Sequence, residues 1–250
     1  VLSQADGLGK PTVAVFLGAP EDIFTGHRTA AAHSLEEAAL KTAALLGAPT
    51  QDFGFSKEQL DDISARERAK YAPGQRYLRG LYCGGTFAEE GLLNYRRLCP
   101  GRTFYSNLSI HSAQKLADKE RSVGDCVLDL GAEDFTAEAP HPVFEPELRL
   151  RRLRRELLDE EVAVITLDFI TGPGVHPDPA GAFCEEIRLA RKKRKSHVTV
   201  IANICGSPLD PQDTAKIARR LEEAGVIVAA SNLQTVRLAA HILNGQEGQA

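Results

Sequence analysis

Residues 162–169 read VAVITLDF, a β-branched apolar run interrupted only by Thr166 and Asp168. A half-exposed strand alternates apolar and polar residues, whereas this run predicts a strand covered on both faces, as in a parallel sheet with helices on either side. It ends in Thr171-Gly172-Pro173-Gly174, then His176-Pro177-Asp178-Pro179, and a helical pattern follows over residues 180–195. A buried strand, a Gly-rich turn and a helix start form a βα junction, and ligands of open α/β sheets sit outside such carboxyl ends. The first candidate site lies here.

The rest of the chain repeats the alternation. Residues 10–17 (KPTVAVFL) read as a strand after a disordered lead-in over 1–9, and a loop follows through Gly26-His27-Arg28. Ser34 and Glu37 then form a capping box for a helix ended by Gly47 and Pro49. This βα unit, residues 1–50, is too small to bury its own faces and must join a sheet made elsewhere in the chain or by a partner. Residues 51–75 read as a connector with a helix over 56–71. Residues 76–83 are a strand, 88–98 a helix, 103–110 a weaker strand, 111–124 a polar excursion and 125–130 a further strand. Residues 131–146 read as an ordered loop. The helix over 147–160 carries an arginine run expected to form a solvated face. Residues 197–205 (HVTVIANIC) are another buried strand, followed by a helix with Asp210 as cap and Pro211 at its first position, stopped by Gly225. A strand over 226–230, a helix over 232–243 and a frayed tail close the chain. Strands alternating with helices predict an α/β fold with a doubly wound parallel sheet. KPTVAVFLGAPED and SHVTVIANICGSPLD echo one another and suggest duplicated halves.

Composition excludes several classes. The chain has 250 residues, 43% hydrophobic and 26% charged, as in ordinary globular proteins. A net charge of −4 gives no electrostatic reason to expect nucleic acid or an anionic membrane. No apolar run is long enough for a transmembrane helix. Cys83, Cys99, Cys126, Cys184 and Cys205 are odd in number and lack metal-site spacing, which favours reduced thiols, no zinc site and a cytoplasmic location. No signal peptide is read before the first strand. The chain has no methionine and starts at Val1, as expected of a processed chain, a renumbered fragment or a redesigned sequence.

Several segments, in order, resemble the FdrA family, a group of acyl-CoA synthetases related to succinyl-CoA synthetase. They are KPTVAVFLG with SLEEAA, GLYCGGTFAEE, DLGAEDFTAEAPHPVFEPELR, GPGVHPDPA, CGSPLDPQD and LEEAGVIVAAS. The resemblance runs from about Lys10 onward and looks like the C-terminal half of a longer FdrA protein. It implies flavodoxin-like ligase domains, with residues 1–50 belonging to an upstream or partner domain and residues 76–250 forming a ligase-type domain. It also implies a Rossmann-like CoA-binding domain or subunit as partner, a homo- or hetero-oligomer, and CoA with ADP or ATP as candidate cofactors. In succinyl-CoA synthetase the phosphorylated histidine lies in a Gly-His-Ala-Gly-Ala segment; Gly26-His27-Arg28-Thr29-Ala30 matches its first two residues and its last. Some FdrA proteins are associated with oxamate carbamoyltransferase in allantoin catabolism, which is the alternative activity.

The candidate residues follow from both readings. Gly84-Gly85-Thr86, between a strand and a helix, can present N–H groups to a phosphate or carboxylate, or can simply be a tight turn with Thr86 as cap. Gly172 and Gly174 shape the central loop. His176 with Asp178 there could do acid–base work, or Asp178 could cap the next helix with Pro179 at its start. Gly206 and Ser207 are candidate anion binders, and Cys205 reads as a buried thiol. His141 falls in the family's His-Pro tag, although the usual preceding Gly-Arg is replaced by Glu138 and Ala139; for Asp129, Asp134 and Thr136 the two readings are orienting that loop and a purely structural role. His141 and His176 are therefore the candidate catalytic residues, no metal constellation is read, and the substrate is expected to be a small anion. The expected function is acyl-phosphate or CoA-thioester chemistry within a multi-subunit enzyme. A non-catalytic scaffold subunit is the reading from another class.

Overall fold

A computed structural model describes residues 1–50, 53–108, 110, 113–137 and 139–245. The expected fraying of the tail beyond residue 245 and part of the polar excursion (His111, Ser112) lie outside the described residues. The chain divides into two compact units, Val1–Phe53 and Gly54–Ala250.

In the first unit, α1 (Leu2–Gly7) replaces the expected disordered lead-in. Its Asp6 carboxylate holds the 27–29 turn, taking the His27 Nδ1 contact at 2.7 Å and the Arg28 N–H at 3.0 Å. The strand expected over 10–17 shortens to β1 (Val13–Val15), and β2 (Ala30–Ala32), unread in the sequence because it is three alanines, pairs parallel to it. Helix α2 (Leu35–Leu45) is capped by Ser34, whose Oγ accepts the Glu37 N–H at 3.0 Å, while the Glu37 carboxylate accepts the His33 N–H. None of its residues is buried.

The second unit opens with α3 (Lys57–Arg68), started by a complete capping box between Ser56 and Gln59. Next come β3 (Tyr77–Tyr82), α4 (Gly85–Leu98), β4 (Phe104–Ser106), β5 (Gln114–Lys115), β6 (Asp125–Asp129) and a single turn, α5 (Glu133–Thr136). The unit closes with α6 (Glu147–Leu158), β7 (Val162–Ile170), α7 (Gly181–Lys193), β8 (Thr199–Cys205), α8 (Thr214–Glu223), β9 (Ile227–Ala229) and α9 (Asn232–Asn244). The strands form one all-parallel sheet in the order β5-β4-β6-β3-β7-β8-β9. The period-2 direction of strand side chains sorts the core. Val164 joins Leu78, Tyr82, Leu92 and Val236 on the α4/α9 face, while Ile165 and Leu167 join Leu81, Leu153, Phe183 and Leu221 on the other. The apolar run at 162–169 is thus covered on both faces, as its composition requires. The sheet is doubly wound.

The topology selects a functional edge. After β3 the chain leaves through α4 on one face toward β4; after the neighbouring β6 it leaves through α6 on the other face toward β7. Adjacent strands whose helices depart to opposite faces open a crevice at their carboxyl ends.

Three readings are corrected. The connector's expected helix, α3, is no mere link: it packs on α9 and buries Leu60, Ser64 and Glu67, with Leu60 in the core and Glu67 paired. Asp210 does not cap α8; Asp213 does, in a left-handed conformation (φ 53°), accepting the Lys216 N–H at 3.0 Å. The arginine run of α6 is a solvated face only in part. Helical spacing turns Arg149 and Arg152 inward, 3% and 5% exposed. Arg152 and Arg79 share the buried Glu156 carboxylate, each at 2.6 Å. Among the described residues no helix is long and apolar enough to cross a membrane.

Glu67 ties α3 to the sheet through His197 Nε2 (2.7 Å), Lys70 Nζ (2.6 Å) and Thr199 Oγ1 (3.0 Å). Burial by itself would raise its pKa, but these bonds outweigh burial and hold it at about 2. A depressed carboxyl pKa stabilises the fold above the unfolded value and loses that contribution as pH falls through the window down to the folded value. Circular-dichroism melts between pH 6 and 3 should therefore show a steep loss of stability, on the order of 2 kcal/mol from this group. Glu67→Gln should melt lower at neutral pH and show a shallower acid slope.

Candidate functional site

The carboxyl edge is built on Asp168, which is fully buried. Its Oδ1 accepts the Cys83 N–H at 3.0 Å and an Arg149 Nη2–H at 2.6 Å, and its Oδ2 accepts the Cys83 thiol at 3.1 Å. Arg149 also donates Nε and Nη2 to the Leu81 carbonyl at 2.9 and 2.7 Å, and its guanidinium lies 5.6 and 5.2 Å from the Phe169 and Phe183 ring centres. One ion pair thereby fixes the ends of β3 and β7 and the start of α6. Burial, then the Asp168 charge, pushes the Cys83 thiol well up, so it is held as a neutral thiol.

Immediately after Cys83 the chain turns into α4. Gly84 is its N-cap in extended backbone, with no side-chain cap, and open space lies where a Cβ would be. Thr86, read as a possible cap, instead sits at the second helical position because α4 begins three residues earlier than its apolar pattern. The helix thus presents N–H groups and positive dipole to the edge. Across from it, at the end of β6, Asp129 Oδ2 lies 3.1 Å from the Cβ position of Gly85, and Asp129 Oδ1 accepts the Gly131 N–H at 2.9 Å. Burial raises the Asp129 pKa; the Gly131 N–H and the nearby His141 act against it. Gly131 has no room for a side chain, since a Cβ would collide with the His141 ring and the Cys83 carbonyl.

His141 and His176 occupy matching turns. Each precedes a proline, and each Nδ1 accepts the N–H two residues on, from Val143 at 3.2 Å and from Asp178 at 3.1 Å. The neutral ring then carries its proton on Nε2, making both imidazoles donors at that atom. The His176 N–H donates to the Val143 carbonyl at 3.0 Å, joining the two turns. A cavity of about 10 Å³ between them is lined by Cys83, Pro142, Val143, Arg149 and His176. His176 and Asp178 form no side-chain acid–base pair: the Asp178 carboxylate accepts Arg220 Nη1 at 2.8 Å and the Gly181 N–H at 3.0 Å, serving the start of α7.

Farther along the edge, Gln212 clasps Gly172, accepting its N–H at 3.0 Å and donating to its carbonyl at 2.9 Å. Gly172 and Gly174 adopt φ of 141° and 85°, conformations that favour glycine. Asp210 accepts the Thr171 hydroxyl at 2.5 Å and the Ser207 N–H at 2.7 Å, and Gly206 packs against Thr171. The turn read as an anion binder already holds a carboxylate of its own chain. Cys205, expected to be buried, is exposed at the strand end; partial burial and the charges of Asp168 and Asp210 raise its pKa, so it is not an activated nucleophile. The candidate residues therefore share one edge without entering one pocket. Gly84, Gly85 and His141 gather between β3 and β6, His176 touches the His141 turn, and Gly206 and Ser207 stand apart beside β8.

A family profile described as CoA-ligase matches residues 81–242. The chain belongs to the CoA-ligase family. It is 34% identical over 251 residues to the uncharacterized protein YahF of Escherichia coli (strain K12), an alignment covering 99% of this chain and 48% of YahF. The chain thus spans about half the length of that relative. It is also similar to the crystal structure of PH0766 from Pyrococcus horikoshii OT3, at 12% identity and TM-score 0.40, over 95% of this chain and 46% of that one.

The CoA-ligase span contains the whole carboxyl edge and three residues that sequence reasoning missed as site builders, Arg149, Asp168 and Gln212. Asp168 carried a signal, being the one acid in an apolar strand. Arg149 was hidden in a run of five arginines. Among the described residues no group of three metal-type ligands forms. Arg149→Met leaves Asp168 charged and unpaired in the core and should cost about 3–5 kcal/mol in urea unfolding. Arg149→Met with Asp168→Leu should recover part of that loss, giving a favourable coupling in a double-mutant cycle.

Proposed function

We propose that this chain is an FdrA-type part of a CoA-ligase enzyme, and that the crevice between β3 and β6 binds the anionic head of an acyl phosphate. The observation that carries this reading is the uncapped N-terminus of α4, glycine-lined and open at Gly84, at the switch point of the sheet. In exchange between an acyl phosphate and a thioester, the thiolate sulfur bonds to the carbonyl carbon and the C–O bond to phosphate breaks. The N–H groups of α4 stabilise the phosphate as its charge grows. His141 donates Nε2–H to the departing phosphate oxygen. His141 and His176 act as hydrogen-bond donors rather than as phosphoryl acceptors, since accepting on Nε2 would forfeit the bond to Nδ1.

The adenosine and pantetheine bulk of CoA does not fit the small cavity at this edge, so CoA and the nucleotide are assigned to another region or subunit, in a cytoplasmic oligomer. The first unit, whose α2 buries nothing, is assigned to a flavodoxin-like domain completed by such a partner. FdrA-type identity is supported by the ordered segments from residue 10 onward.

Thermal shift of the full chain tests the site. Acetyl phosphate at ~100 times its Kd should stabilise by about 2.7 kcal/mol. Gly84→Asp places a carboxylate at the N-cap, which preserves or strengthens the helix while filling the anion site. It should abolish the response without lowering the melting temperature of the free protein. An equal response in Gly84→Asp, or none in the wild type, would sink this assignment. A response confined to carbamoyl phosphate and oxamate would favour the carbamoyltransferase.

A further inference from the structure

The arginine run of α6 is only partly used by the core. Arg149 and Arg152 face inward, and Arg154 pairs with Glu147 and Glu186 at 2.7 and 2.9 Å. Arg151 and Arg155 remain, four residues apart on one helix face, where like charges repel. Arg151 is exposed and has no side-chain partner among the described residues. Arg155 donates to the Glu120 carbonyl and lies 3.7 Å from its carboxylate. Both border a cavity of about 410 Å³ beside α5. Its floor is apolar, with Leu130 and Phe135 buried and Leu148 beside them. Lys119 lies over the Phe135 ring, 5.7 Å from its centre, and donates to the Asp134 carbonyl, and its charge meets no carboxylate among the described residues. The wall is stapled in place, because Arg152 donates to the Lys119 carbonyl and to Ser122 Oγ, each at 2.6 Å.

We infer that this cavity is a second binding site, for a small organic phosphate with an apolar or aromatic body. Its volume falls within the range of small-molecule pockets. The apolar floor accepts the body, while Arg151, Arg155 and Lys119 meet the dianion, outnumbering Glu120 and Asp134 among the described residues at the rim. Arg152 adds no net attraction, since Glu156 neutralises it. The site lies on the α6 side of β6 and shares no lining residue with the crevice at α4, so it stands independently of the acyl-phosphate reading.

Calorimetric titration of the full chain with phenyl phosphate and with inorganic phosphate tests the inference. Phenyl phosphate should bind at least about tenfold more tightly than phosphate, and raised salt should weaken both. Arg151→Gln, which removes an exposed side chain and should leave the fold intact, should weaken phenyl phosphate by about tenfold or more. Arg155→Gln should act in the same direction. Arg154→Gln and Gly84→Asp should leave its affinity unchanged. Undetectable binding, equal affinity for the two probes, or wild-type affinity in Arg151→Gln would overturn the site. Loss of binding in Gly84→Asp would move the probe to the α4 crevice and also overturn it.

Discussion

Everything at the carboxyl edge depends on one buried charge. Asp168 sits where an apolar strand would otherwise continue, and its two oxygens are satisfied by Cys83 and Arg149. A lone carboxylate in that position would be prohibitively desolvated. The ion pair with Arg149 makes it tolerable and, in the same stroke, sets the angle at which β3 ends, the position of Gly84 and the seat of α6. Arg149 lies between two aromatic rings and a carbonyl, a setting that suits a planar, weakly hydrated cation and would not suit lysine. The residues that do the proposed chemistry are thus held by residues that touch no ligand.

The electrostatics of the edge are graded along it. At β3 and β6 an open helix terminus faces Asp129, whose pKa burial raises, so an incoming anion meets free N–H donors beside that acid. At β8 the equivalent donors are taken by Asp210, whose pKa is lowered by the Thr171 hydroxyl and the Ser207 N–H. The two turns look alike in sequence, each a strand followed by glycine and a hydroxyl residue. They differ because Asp210, three residues after Ser207, folds back onto that turn, whereas Glu89, three residues after Thr86, already lies inside α4.

Element types were legible wherever periodicity was strong. The strand at 162–169, the helices after it and the strand at 199–205 needed only burial pattern and turn residues, and the doubly wound class followed from their alternation. Short pieces were not legible: β2 is three alanines, β5 two polar residues, and both exist because a neighbouring strand offers its edge. Glycine turns mark the carboxyl ends of the strands, but partnership across the fold could not be read locally. Arg149 meets Asp168 nineteen residues on, and Glu156 meets Arg79 seventy-seven residues back. A run such as RLRRLRR therefore reads as solvated until the helix face is known.

The sheet also terminates in a particular way. Its long apolar strand is central, while its two margins are β5 and β9, of two and three residues. Short marginal strands expose few unpaired main-chain groups, which denies a template to other chains. The hazard moves to the folding chain instead. β3 pairs with β6 and β7, which both come later in the chain, and until they arrive neither of its edges has a neighbour. Conditions that slow the closing of the sheet should cost this protein yield before they cost it stability.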